Sequence, residues 1–185
     1  LSDSDWHAAE LKVSSICNSN LTGAQFTACH FYSATLIGNQ YDGASFAQTN
    51  MQFGVINPAS FQLVDLTGLR ADSTVFSDAD FQSKNLRDIR LPRCAMHKAD
   101  FSDCDLSGAD LSYANCLEAR FVRTTLVNLM APHAMLMGVH IERSDFSHAN
   151  LEGAIFQQAQ VQDSQFTYAK LAQSIWNKSV QIRVS

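Results

Sequence analysis

An apolar residue occupies every fifth position from Trp6 through Leu11, Ile16 and Leu21 to Phe166, Leu171 and Trp176, with no slip of frame. That makes 35 successive hits in a chain of only 46% hydrophobic residues, so the frame is not a product of composition. Neither regular element explains it. Five residues of helix rotate a side chain by ~140° away from its predecessor, and an odd step along a strand sends it to the opposite face. A chain that bends once per repeat keeps all of these positions inside, and repeating the bend winds a solenoid around a continuous core.

Two further positions carry the pattern. Two residues before each centre, 28 of 35 residues are Ala, Ser, Cys, Thr or Gly, as expected of a second inward site with little room. The position just before the centre is mostly polar, with Asp80, Asp100, Asp105, Asp110, Asn115, Asp145 and Asn150 among its occupants. The stretch from Ala99-Asp100-Phe101 to Ser112-Tyr113-Ala114-Asn115, and again Ala149-Asn150-Leu151-Glu152-Gly153-Ala154, resembles the pentapeptide-repeat family, whose motif is small–Asp/Asn–Leu/Phe–Ser/Thr–any. The resemblance implies an all-β fold, a right-handed, four-sided parallel β-helix (solenoid) with 20 residues per coil. On that basis residues 1–185 form one domain of about nine 20-residue coils, roughly 43 Å long at ~4.8 Å per stacked strand.

A 20-residue coil stacks residues 20 apart. One core ladder then reads Leu21, Tyr41, Phe61, Phe81, Phe101, Phe121, Ile141, Val161, and another contains Ala71 and Ala131. Leu69 and Leu129 stand at the small sites just before those two alanines, so large and small have exchanged within a repeat and core volume is conserved, as close packing requires. Two residues fit the inward site poorly. Asn39 is one. Lys84 is the other, for which a local bulge that releases the ammonium to solvent is the expected solution. Pro58, Pro92 and Pro132 fall just after a centre or one residue further on, at turns where no ladder bond is lost.

Chemistry is sparse. The six histidines scatter over all four faces without zinc-ligand spacing, there is no Cys-x-x-Cys pair, and no phosphate-binding loop occurs. Ser144, Asp145 and His148 tempt a triad reading, but the frame turns Ser144 inward and the other two outward. No enzyme activity, metal or cofactor is expected. Cys29, Cys94 and Cys104 take small inward sites and Cys116 takes a centre, which makes them core atoms of a protein in a reducing, cytoplasmic setting, or in a host cytosol if it is a secreted effector. No apolar run approaches the ~20 residues of a membrane span. Leu rather than Met in first place is expected of a processed chain or a module excised from a longer one. A net charge of −5 argues against direct nucleic-acid binding.

With the interior filled, function is expected outside. The face centred on Ile16 through Trp176 turns Ile37, Val55, Val75, Leu117, Met135, Met137, Ile155 and Ile175 outward, with Met130 near its edge. An apolar strip of that length marks an interaction site for a protein partner, a second copy in a homodimer, or a neighbouring domain. Arg70, Arg87, Arg90 and Arg93 should gather near one corner, and Arg120, Arg123 and Arg143 on the face of the phenylalanine ladder. Asp78, Asp80, Asp100, Asp103, Asp105 and Asp110 should wind around the middle coils. The family resemblance implies two kinds of role. One is a non-catalytic protein–protein interaction module of the bacterial effector type. The alternative is a DNA-mimicking protector that binds DNA gyrase or topoisomerase, as in quinolone resistance. Those protectors dimerise through a C-terminal helix, whereas Val180-Gln181-Ile182-Arg183-Val184 reads here as strand.

Overall fold

The computed structural model describes residues 1–57 and 61–182, so Pro58 and the last residues of the C-terminal strand pattern lie outside it. Through the described residues the backbone climbs in parallel 20-residue steps. Ser15, Thr35, Val55, Val75, Ala95, Asn115, Met135, Ile155 and Ile175 pair in sequence, eight steps in all, so the solenoid makes about eight turns between these ends. We number the four faces in the order the chain visits them, with centres on Leu21 to Val161 (first), Trp6 to Phe166 (second), Leu11 to Leu171 (third) and Ile16 to Trp176 (fourth).

Each repeat uses the same hydrogen bonds. The centre N–H donates to the next coil, as Phe26 does to the Ser45 carbonyl at 2.8 Å, and the residue before the centre donates back, as Ser45 does to Ala24 at 3.0 Å. At most corners the centre carbonyl also accepts from the N–H three residues on, as Leu21 does from Ala24 at 3.0 Å. The second residue after the centre holds a left-handed φ near 50–70° at nearly every described corner, which is the third position of a type II turn. Glycine favours that conformation, yet only seven glycines hold it against 27 other residues. Their N–H groups are tied into the ladder, as with Asp3 to Thr22 at 2.8 Å, and this offsets the local cost.

Inside, the expected stacks are present. Phe61, Phe81, Phe101 and Phe121 stack with ring centroids 4.8, 4.9 and 5.3 Å apart. Leu69, Ala71, Leu129 and Ala131 are all buried, so the large-for-small exchanges do fill the core. Some of the small inward residues also tie neighbouring coils together. Thr49 Oγ1, Cys29 Sγ and Cys104 Sγ donate to centre carbonyls one coil back, at Phe26, Trp6 and Phe81, over 2.6, 2.8 and 2.9 Å. Pro92 and Pro132 sit where an N–H would point outward, and their carbonyls still serve Ser73 and Tyr113.

Both misfits have a structural reason. Asn39 replaces a corner hydrogen bond: its Nδ2 donates to Ile16 O at 2.7 Å while its Oδ1 accepts from Ser19 N–H at 2.8 Å. Tyr41 Oη closes this buried network, accepting from Asn39 and donating to Leu36 O at 3.1 Å. Around Lys84 the bulge lies one coil earlier than the sequence suggests. Lys84 keeps a regular corner, while Leu63 is the one described corner residue without a left-handed φ, and the Gly43 N–H bonds to Leu63 O. Among the described residues no backbone hydrogen bond joins residues 65–68 to residues 85–87, and the Lys84 ammonium donates to the freed Val64 carbonyl at 2.6 Å. Lys84 is therefore half-buried and bonded rather than released to solvent. Burial pulls its pKa below the ordinary 10.5 although Asp65 acts in the opposite sense.

The extended segments are short. β1 (Glu10–Lys12), β2 (His30–Tyr32), β4 (Asn50–Gln52) and β6 (Arg70–Asp72) pair on the third face. β3 (Thr35–Ile37) and β5 (Val55–Asn57) pair on the fourth. β7 (Arg120–Val122), β8 (His140–Glu142), β9 (Gln160–Gln162) and β10 (Val180–Ile182) pair on the first. β10 places the described part of the C-terminal segment in a strand, as its sequence suggests. No helix of the described residues is long and apolar enough to cross a membrane.

Candidate interaction surface

The core side chains fill the interior, which turns attention to the outward positions of each face. Every face offers one outward residue at mid-face, just before the centre, and two at the following corner. On the fourth face the mid-face column runs Val55, Val75, Ala95, Asn115, Met135, Ile155, Ile175 without a break in pairing. Five of the nine residues singled out by the sequence stand in this one column: Val55, Val75, Met135, Ile155 and Ile175, with Ile37 at the corner beside it. Leu117 and Met137 sit at the corner beside it. Met130 does not belong to the strip, because it is mid-face on the third face, between Asp110 and Asn150. Met130 and Met135 are similarly exposed, at 42% and 38%, but in different surroundings.

Sequence reasoning passed over six apolar residues at other corners. Val13, Tyr32, Phe53, Leu63, Tyr113 and Tyr168 are all exposed there. Tyr32 meets Phe53 edge-on at 5.5 Å, Tyr113 stacks on His133 at 5.1 Å, and His148 on Tyr168 at 5.2 Å. The signal was available, since all six lie one or two residues after a centre in the five-residue frame.

Arg70 and Arg90 are ladder neighbours on the third face and Asp80 and Asp100 on the first, while several other charges meet partners of opposite sign. Asp80, Asp100, Asp105 and Asp110 each accept the N–H two residues on, at 2.9–3.0 Å, so this position of the motif fastens the corner that follows it. The second oxygens of Asp100 and Asp105, together with Asp72 and Asp103, meet arginines. Arg87 bonds Asp105 at 3.0 Å, Arg120 approaches Asp100 at 3.5 Å, Arg93 grips Asp72 with two nitrogens, and Arg123 grips Asp103 through two bonds of 2.6 Å. The Arg123 hydrogen bond and charge hold the Asp103 carboxyl below its ordinary 3.8. Burial pushes Asp105 upward, but the Ser107 and Arg87 hydrogen bonds outweigh it and leave its pKa lowered.

For nucleophilic or metal chemistry the geometry offers little. Ser144 is buried, accepts from Thr124 N–H at 2.9 Å and donates to Phe121 O at 2.9 Å, while Asp145 caps Ser147 N–H at 2.8 Å. The Ser144 hydroxyl is thus a structural bridge. All five cysteines are free thiols, and burial pushes Cys94, Cys104 and Cys116 up to about 12. Among the described residues no His/Cys/Asp/Glu group is arranged to hold a metal ion.

Comparison with known proteins gives a consistent picture of the repeat. The family model described as pentapeptide repeats matches in eight copies over residues 91–128 and 144–175. Among solved structures, HetL, a pentapeptide repeat protein involved in heterocyst differentiation regulation from the cyanobacterium Nostoc sp. strain PCC 7120, is 21% identical, with 95% of this chain and 90% of that chain covered and a TM-score of 0.45. Rfr23, a pentapeptide repeat protein from the cyanobacterium Cyanothece 51142, is 16% identical over 74% and 86% of the two chains, with a TM-score of 0.47. Full-length QnrB1, a plasmid-mediated fluoroquinolone resistance protein, is 12% identical over 94% and 93%, with a TM-score of 0.38. The comparison with curated proteins gave no match.

Proposed function

Taking this chain as a pentapeptide-repeat protein, we propose that it is a non-catalytic protein–protein interaction module whose contact surface is the outward column of the fourth face. The observation that carries the reading is the run Met135, Ile155 and Ile175 with Leu117 and Met137 beside it, an apolar strip on a rod with a filled interior. A flat sheet face of that kind suits a partner surface better than it suits water. The second reading, a DNA-mimicking binder of gyrase or topoisomerase, needs a row of free carboxylates. Here Asp100 and Asp105 fasten corners, and with Asp103 they pair with arginines, so their field is largely cancelled nearby. Free buried thiols favour a reducing compartment, a bacterial cytoplasm or, for an effector, a host cytosol.

The test is a pull-down with wild type, Met135→Asp plus Met137→Asp, and Tyr168→Asp on a different corner. Loss of a partner with the first variant alone supports the surface. Unchanged recovery with all three removes it. A gyrase supercoiling assay with and without quinolone separates the second reading, which requires protection at micromolar protein.

A further inference from the structure

The fourth face carries charges placed to choose one kind of partner. Over the last four coils its mid-face residues are Asn115, Met135, Ile155 and Ile175, and its corner with the first face presents Glu118, Gly138, Gln158 and Lys178. The only charges among those four corner residues are therefore an acid at one end and a base at the other. Glu118 has distant company at home, with His97 Nε2 and Lys98 Nζ both at 3.8 Å, and its side chain stays half-exposed. Lys178 is exposed.

We propose that the partner of this face is a second copy of the chain, docked face to face and antiparallel about a two-fold axis between the Met135 and Ile155 levels. The inference rests on the assignment of the fourth face as the contact surface and adds the occupant and the register. A two-fold axis lying in the contact plane across the rods keeps like corners together and reverses the order of coils. Met135 then faces the partner subunit's Ile155, and Glu118 faces the partner subunit's Lys178, each pair occurring twice. Running the rods in the same direction puts Glu118 opposite Tyr113 and leaves Lys178 without an acid. Sliding the antiparallel axis to the Met135 level sets Lys98 against Lys178. Sliding it further, between Asn115 and Met135, pairs Asp78 with Lys178 but sets Glu118 against Gly138 and leaves it without a base. Gly138 and Gly153 present no side chain at their corners and leave room there as the sheet faces approach to the ~10 Å of packed sheets.

Four coils of ~4.8 Å and a face of similar width cover roughly 800 Å² in total, below the ~1,200–2,000 Å² of standard interfaces. The dimer is accordingly weak and concentration-dependent.

Sedimentation of the full chain over about 5–500 µM tests this. Wild type should pass from monomer to dimer. Met135→Asp should abolish the shift, and Glu118→Lys or Lys178→Glu should each weaken association roughly three- to tenfold at low salt. The double reversal, Glu118→Lys with Lys178→Glu, should restore it, while Asp78→Lys should leave it unchanged. A monomer at every concentration overturns the dimer while leaving a foreign partner of the same face testable by the pull-down. A dimer indifferent to Met135→Asp overturns the fourth face as the contact between copies. Sensitivity to Asp78→Lys without sensitivity to Glu118→Lys overturns the register.

Discussion

The two halves of the rod solve the same corner in different ways. In the first four coils the extended corners, which lack the closing hydrogen bond, follow the third face at β1, β2, β4 and β6, and the fourth face at β3. In the last coils they follow the first face at β7, β8 and β9. Between Phe76 and Ala119 every corner is closed. The later block compensates its open corners from the coil above: Ser144 Oγ bridges Thr124 N–H and Phe121 O, and Ser164 Oγ accepts from Ser144 N–H at 3.1 Å. On the third face Ala34 and Gly54 occupy that site and have no hydroxyl to offer, Ser14 reaches only Lys12 O at 3.1 Å, and Thr74 Oγ1 and Cys94 Sγ donate to Met51 O and Ala71 O at 3.3 and 3.6 Å without relieving an N–H. The earlier block also ends at the interrupted ladder beside Lys84. A constant five-residue frame thus tolerates different corner chemistry, and side chains one coil away decide how well each corner is satisfied.

The contrast between the halves should show most strongly in the core. Phe101→Ala, in the continuous stack, should cost about 3–5 kcal/mol in denaturant unfolding. Phe61→Ala, next to the bulge at Leu63, should cost less because its surroundings have room to relax. Equal losses would mean that the earlier block is as tightly packed as the later one. Lys84→Met keeps the length but removes the donor to Val64 O, and should cost about 1–3 kcal/mol. Ser144→Ala should cost a similar ~1–3 kcal/mol by stranding Thr124 N–H, whereas Ser14→Ala, half-buried at the same kind of corner and bonded only to Lys12 O, should stay within ~0.5 kcal/mol. A pair of equal effects would contradict the relay.

Acid should act through the aspartate caps and pairs. Asp103 and Asp105 have folded pKa values below the ordinary 3.8, so the stability they contribute is complete above that pH and is lost as pH falls below it. Unfolding midpoints measured from pH 6 to 2.5 should decline at the acid end, less steeply in Arg123→Gln. The smallest effect concerns thiols. With Cys29, Cys94, Cys104 and Cys116 buried, a disulfide reagent at pH 8 should titrate one thiol, Cys17, before unfolding and five afterwards.

Much of this was legible in the chain. Strict periodicity fixed which side chains face inward, because a missed step would turn every later centre outward, and it located Leu69 with Ala71 and Leu129 with Ala131. The seam was not legible. Lys84 announced a disturbance, but its long side chain reaches the preceding coil, so the affected backbone lies at 63–68 rather than at 84. Met130 was drawn to the apolar strip by its type, yet the five-residue step between it and Met135 is a change of face. The role of the aspartates before each centre also escaped the reading by charge, since capping depends on an N–H direction that composition does not encode.

Whether the fourth face, and not its neighbour, makes contact can be read from methionine oxidation footprinting of the full chain at low and high concentration. Met51 and Met96 are buried and serve as internal references, while Met130 and Met135 start with similar exposure on adjacent faces. Raising the concentration should protect Met135 and Met137 and leave Met130 as reactive as before. Protection of Met130 with Met135 unchanged would place the contact on the wrong face and refute the assignment.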